Sequence, residues 1–79
     1  MTEQEIFDVV RRHLAEVLPD LDTARVQPDV SMRELGANSI DRMDLVIGVQ
    51  DELGITVPNH ELTSVHNLRS LVAAIQAHV

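Results

Sequence analysis

The sequence predicts an all-α fold: a four-helix bundle of three principal antiparallel helices and one short helix, with a long first loop. Three observations carry that expectation. Apolar residues recur at helical spacing in three stretches, and each stretch is preceded by a residue suited to cap a helix. Pro19 follows the first stretch and Gly54 the second. Nothing alternates with the period of a strand for long enough to matter, since Ile55-Thr56-Val57 is brief and isolated.

Thr2 and Glu5 have capping-box spacing, so the first helix starts at about Glu3. Ile6, Phe7, Val10, Leu14, Val17 and Leu18 share one stripe, and Asp8, Arg11, Arg12 and Glu16 fall outside it. Pro19 ends the helix near Leu18. Residues 19–38 carry Pro19, Pro28 and Gly36, with Leu21, Val26, Val30 and Leu35 scattered among them. A structureless stretch of that length is unusual, so these apolar residues are expected on the core. Ser31 and Glu34 repeat the capping-box spacing before Gly36, which predicts a short helical turn over Met32 to Leu35. A second helix is expected from about Ser39 to Leu53, capped by Asn38 and stopped by a left-handed Gly54. His60 to Ser64 reads as a very short third helix. Asn67 caps the last, in which Leu68, Leu71, Val72, Ile75 and Val79 recur.

Seventy-nine residues suit one domain, residues 1–79, with a single small core and no deep cleft between domains. Thirteen acids against six arginines, with no lysine, give a net charge of −7. That balance argues against nucleic acid and anionic membranes as partners and favours basic protein surfaces. One Phe and no Trp or Tyr exclude base-stacking platforms, and the absence of cysteine excludes thiolate metal sites and thiol nucleophiles. Thiol chemistry has to arrive on something attached. No apolar run approaches the roughly 18 residues of a membrane span, and the acidic start lacks the basic residues of a secretory signal. The expectation is a cytoplasmic monomer that partner proteins handle.

On a helical wheel of the second helix, Leu45, Val46, Val49 and Leu53 form one stripe with Met43 at its edge. Ile40 and Ile47 lie well off it beside Asp44 and Asp51, flanked by Asp41 and Glu52. Apolar spots rimmed by charge suit a docking face; equally, the two isoleucines can cover the short third helix. Gly48, mid-helix, costs about 1 kcal/mol relative to alanine. Its place on the acidic, solvent side fits close approach by a partner or attached group, or else a tolerated defect. Ser39, at the helix N-terminus, suits a phosphate ester, because amides and macrodipole favour negative charge there; it also suits plain capping. His13, His60, His66 and His78 show no paired-ligand spacing. A serine–histidine–aspartate site built on Ser39 lacks an oxyanion hole and a pocket, so an enzyme is not expected.

The string Leu35-Gly36-Ala37-Asn38-Ser39-Ile40-Asp41 resembles the acyl carrier protein family, whose usual motif is Leu-Gly-x-Asp-Ser-Leu. The likeness continues through Met43-Asp44-Leu45-Val46, Asp51-Glu52-Leu53-Gly54-Ile55 and Val57-Pro58, and so covers nearly the whole chain. It implies that Ser39 carries a covalent 4′-phosphopantetheine arm donated by coenzyme A. It also implies that Ile40, Asp41, Asp44, Ile47 and Asp51 form the partner-recognition face. The partners so implied are a phosphopantetheinyl transferase and biosynthetic enzymes: ketosynthases, acyltransferases or enzymes resembling hydroxymethylglutaryl-CoA (HMG-CoA) synthase. Asn38 departs from the usual aspartate, Arg42 adds a positive charge, and Gln50 stands where an acid is frequent, so partner choice is expected to differ from that of fatty-acid carriers. Residues 35 to 42 resemble discrete carriers of polyketide β-branching cassettes, which hold an acetyl group for such a synthase. The implied function is a free-standing carrier of acyl thioesters in polyketide or fatty-acid synthesis. Three alternatives stand beside acetyl donation: ordinary chain building, aminoacyl carriage, and an acidic interaction module without a prosthetic group.

Overall fold

The computed structural model describes residues 1–79. Its first helix, α1 (Glu3–Val17), starts where the capping box places it. Thr2 Oγ1 accepts from the Glu5 amide at 3.1 Å, and the Glu5 carboxylate accepts from the Thr2 amide at 2.9 Å. Those hydrogen bonds favour the charged form, so the Glu5 carboxyl titrates below its ordinary value, chiefly through its bond to the Thr2 backbone. Ile6, Val10 and Leu14 are fully buried. Val9, outside the expected stripe, is buried too, whereas Phe7 and Val17 are only half-buried. Phe7 instead lies beneath the Arg11 guanidinium, 5.7 Å from ring centroid to Cζ.

The long connection departs from expectation in detail. Its one helical element is a 3-10 turn over Thr23–Arg25, in which Asp22 Oδ1 accepts from the Ala24 amide at 3.0 Å. The helical turn expected over Met32 to Leu35 is instead a set of tight turns. Ser31 Oγ does accept from the Glu34 amide at 3.1 Å. The backbone then closes Leu35 onto Met32 and Gly36 onto Arg33 in three-residue steps, and the Ala37 amide returns to the Met32 carbonyl. Gly36, at φ +91, turns the chain inwards before a helical ladder can begin. The apolar residues do dock: Val26, Leu35 and Ala37 are buried, and Leu21, Val30 and Met32 pack partly against the core.

α2 (Ser39–Leu53) has Asn38 as cap and Gly54, at φ +66, as its left-handed stop. Leu45 and Val49 are its buried residues. α3 (Asn59–Leu62) begins one residue earlier than expected and ends two earlier. Pro58 itself is the cap, so the first helical residue follows directly, and Thr63 closes the turn by donating its amide to the Asn59 carbonyl. α4 (Leu68–Gln76) is capped by Asn67 and buries Leu68, Leu71, Val72 and Ile75. Val79 lies beyond its end and is exposed. The amides of Leu68 and Arg69 donate to the carbonyls of Val30 and Pro28, which ties the long connection to the start of α4. α1 packs against both α2 and α4, and one cluster of 13 buried side chains joins all three with Val26, Leu35 and Val57.

Gly48 corrects the sequence reading. It faces α1 rather than solvent, and a Cβ placed there would stand 2.8 Å from His13 Nδ1. The close approach is therefore internal. His13 Nε2 lies 2.9 Å from Glu52 Oε1, and the Arg12 guanidinium grips the same carboxylate with both terminal nitrogens. Helix α1 is thereby stapled to α2 on its outer side, and the glycine makes room for the imidazole.

Two predictions follow from this contact. Gly48→Ala gains helix propensity worth about 1 kcal/mol only if His13 can yield. Urea unfolding should therefore show that gain in full in a His13→Ala background and a smaller gain, or a loss, in the wild type; equal gains would mean that the contact is slack. The second concerns acid. Arg12 and then His13 hold the Glu52 carboxyl down from an ordinary 4.5 to about 2. A depressed carboxyl stabilises above its unfolded value, and its contribution fades as pH falls through the folded one. Replacing Glu52 with Gln should flatten the loss of melting temperature between about pH 4.5 and 2, and an unchanged acid limb would show that the staple adds nothing.

Candidate functional site

The start of α2 is held from both sides. Leu35 and Ala37 are buried, which anchors the incoming strand of chain on the core. Asn38 Oδ1 then accepts from the Asp41 amide at 2.8 Å, and Asp41 Oδ2 accepts from the Asn38 amide at 3.2 Å. Two otherwise unpaired amides are satisfied, and Ser39 becomes the first helical residue. Its side chain is exposed. Ser39 Oγ accepts one hydrogen bond, from Arg42 Nη2 at 3.3 Å. No histidine reaches it, so the serine has no general base to make it a nucleophile in its own right. His13 and His78 pair with Glu52 and Glu61 instead.

Along α2 from that serine, Ile40, Met43 and Ile47 are 71, 63 and 49% exposed, a continuous apolar stripe three and four residues apart. Asp44 and Asp51 are exposed beside it. Of the two readings of Ile40 and Ile47, the structure favours the outward one for Ile40. Ile47 serves both, since it also lines the groove that α2 makes with α3. Met43 was placed by the wheel at the rim of the inward stripe; it stands outside, and its spacing from Ile40 and Ile47 was the signal for that. Asp41 is half-buried and spends its carboxylate on the cap. Gln50 is half-buried at the groove between α2 and α3. Its Oε1 accepts from the Val57 amide at 2.6 Å and holds the connection between α2 and α3.

The groove has a volume of about 840 Å³ and runs between α2 and the segment that contains α3. Ser39 and Arg42 line it together with apolar Met43, Val46, Ile47, Leu62, Val65 and Leu71. An exposed hydroxyl beside an open apolar groove suits a serine-linked flexible arm that bears an acyl group, and a cationic Arg42 suits a phosphodiester at the link. No helix is long and apolar enough to cross a membrane.

Comparison with known proteins accords with this geometry. The phosphopantetheine attachment site family matches residues 8–75. The chain is 37% identical over 75 residues to the polyketide biosynthesis acyl-carrier protein AcpK of Bacillus subtilis (strain 168), covering 95% of this chain and 92% of that one. Acyl carrier protein 2 of Ralstonia nicotianae is 35% identical, with 98 and 95% covered. The fold matches a chain in the crystal structure of the curacin-pathway HMG synthase in complex with its acetyl-donor ACP, at a TM-score of 0.87 and 23% identity, with 98 and 99% covered. A capped helix opening on an exposed serine, an apolar groove beside it and kinship over nearly the full length lead to one conclusion: the chain belongs to the acyl carrier proteins, which carry acyl groups on phosphopantetheine and are not themselves catalysts.

Proposed function

We propose that Ser39 is the residue that carries the phosphopantetheine arm, and that the chain serves polyketide synthesis as an acetyl donor to an enzyme of the HMG-synthase kind. The observation that carries the attachment reading is the exposure of Ser39 at the first position of α2, next to the groove. The arm supplies the thiol on which acyl groups are held as thioesters. This chain's residues do the rest: the Asn38–Asp41 cap presents the serine, the groove offers apolar surface, and the outward side of α2 meets the partner. Support for the donor role comes from the likeness to a polyketide carrier and from the fold shared with a carrier described as an acetyl donor.

The docking face is Ile40, Met43 and Ile47 with Asp44 and Asp51 beside them. Its acids make no ion pair within the chain, unlike Asp8 and Glu52, which are held by arginines. Unpaired surface acids steer a basic partner and leave release fast. At the N-terminal end of the face, Asn38 is neutral and Arg42 positive, so this end is less acidic than the rest and penalises partners that demand a carboxylate there.

The test is transfer. The phosphopantetheine-bearing protein, loaded with acetate, is offered to an HMG-synthase-like enzyme together with a β-ketoacyl carrier, and separately to a ketosynthase. Acetyl transfer to the synthase is expected to exceed use by the ketosynthase. Asp44→Lys should slow that transfer several-fold at low salt, whereas Asp20→Lys, on the connection, should leave it nearly unchanged. Asp22 is unsuited as the control because it caps the 3-10 turn. Failure with the synthase alongside ready use by the ketosynthase would contradict the donor role and leave chain building.

A further inference from the structure

The six arginines are not used alike. Arg11 pairs with Asp8 at 2.9 Å, Arg12 grips Glu52, and Arg25 donates to the Glu34 carbonyl at 2.9 Å. Arg33, Arg42 and Arg69 have no carboxylate within 4.0 Å, although acids outnumber arginines by thirteen to six. Two of these three, Arg33 and Arg42, line one hollow of about 230 Å³ between the turns before α2 and the loop before α4. His66 lines it too, and Ser31 and Asn67 supply neutral polar groups; no acid lines it. The hollow adjoins the proposed attachment point, because Arg42 also borders the groove and donates to Ser39 Oγ at 3.3 Å.

We propose that Arg42, backed by Arg33, positions the phosphodiester of the serine-linked arm within the protein itself, rather than serving only as a contact for partners. This rests on Ser39 being the attachment residue. A phosphorus bonded to Ser39 Oγ carries two free oxygens, each two bonds beyond the Oγ that Arg42 already reaches. The guanidinium fork has no carboxylate partner and matches two phosphoryl oxygens as it matches a carboxylate. A single charge on the phosphodiester is balanced by a single guanidinium, so the link is drawn to the basic hollow and away from Asp44 and Asp51. Arg42 stands between hollow and groove, so a phosphodiester fixed there sends the rest of the arm out along the groove side of α2. Arg42 is thus a positioning residue for the arm.

The experiment compares the unmodified and phosphopantetheine-bearing proteins by NMR, observing the arginine Nε–Hε signals and the phosphorus resonance, with intact mass recorded on each sample. On loading, the Arg42 Hε signal is expected to move downfield further than those of Arg11, Arg25 and Arg69, with Arg33 moving next most. The phosphorus resonance should shift in Arg42→Gln and return partway in Arg42→Lys, which keeps the charge but not the fork. The melting temperature should change little in either variant, because Arg42 is exposed and makes no ion pair within the chain. An Arg42 signal indifferent to loading, or a phosphorus resonance identical in wild type and Arg42→Gln, overturns the proposal while the attachment reading stands. A chain that gains no phosphopantetheine mass, or gains it equally as Ser39→Ala, overturns the attachment reading itself. If millimolar inorganic phosphate moves the Arg42 signal of Ser39→Ala as far as loading moves that of the wild type, the hollow is a free anion site and the positioning role is wrong.

Discussion

The paired hydrogen bonds between Asn38 and Asp41 decide what this protein offers to the outside. They act together with the burial of Leu35 and Ala37 just before them, and the two effects differ in size. A helix cap is worth roughly 0.5–2 kcal/mol; a buried leucine such as Leu45 is worth about 2–5 kcal/mol when cut to alanine. The core therefore sets the rotational phase of α2, with Leu45 and Val49 inwards. The cap sets where the helix begins, with Ser39 as its first residue and outside the core. Once both are fixed, Ile40 points outwards, and Met43 and Ile47 stand exposed at the edge of the groove. One helix of 15 residues thus combines two core residues, Leu45 and Val49, with the proposed attachment point and the proposed docking face.

Charge is distributed to the same end. Two acids at α1 are answered by arginine: Asp8 by Arg11, and Glu52 by Arg12, with His13 beside it. The exposed acids of the outward face of α2, Asp44 and Asp51, are not. Exposed pairs add little to stability, so the arrangement matters less for folding than for leaving one face acidic and one hollow basic. The Glu52 staple is the exception in purpose, since it joins two helices that the core alone joins from within. Gly48 is the cost of that staple, a weak helix residue kept because His13 occupies the space a side chain would need.

Much of this was legible in the sequence because its signals are local. Thr2 with Glu5, Asn38 and Asn67 before apolar runs, and Gly54 after one, are each read within four residues, and α1, α2 and α4 begin, and α2 ends, accordingly. The place of Ser39 at the start of α2, and of Ile40 and Ile47 off the core stripe, was legible for the same reason. Contacts between distant segments were not. Gly48 was assigned to solvent because a helical wheel shows only its own helix, and His13 lies 35 positions away in the sequence. For Gln50 the sequence offered only a departure from a frequent acid, because nothing in its neighbourhood reveals that the Val57 amide turns back onto it. The turns at Met32 to Leu35 defeated the helix expectation through Gly36, whose left-handed conformation was read as a stop to a helix that never forms.

The prosthetic arm is proposed to sit on Ser39. Trypsin tests it cleanly, because the chain has no lysine and its arginines separate every serine from the others. Cleavage after Arg33 and Arg42 releases residues 34–42, in which Ser39 is the sole hydroxyl residue; Ser31, Ser64 and Ser70 fall in other fragments. After reaction with coenzyme A and a phosphopantetheinyl transferase, tandem mass spectrometry should find the added phosphopantetheine on the 34–42 fragment alone. Its appearance on a fragment that bears another serine, with 34–42 unmodified, would contradict the account.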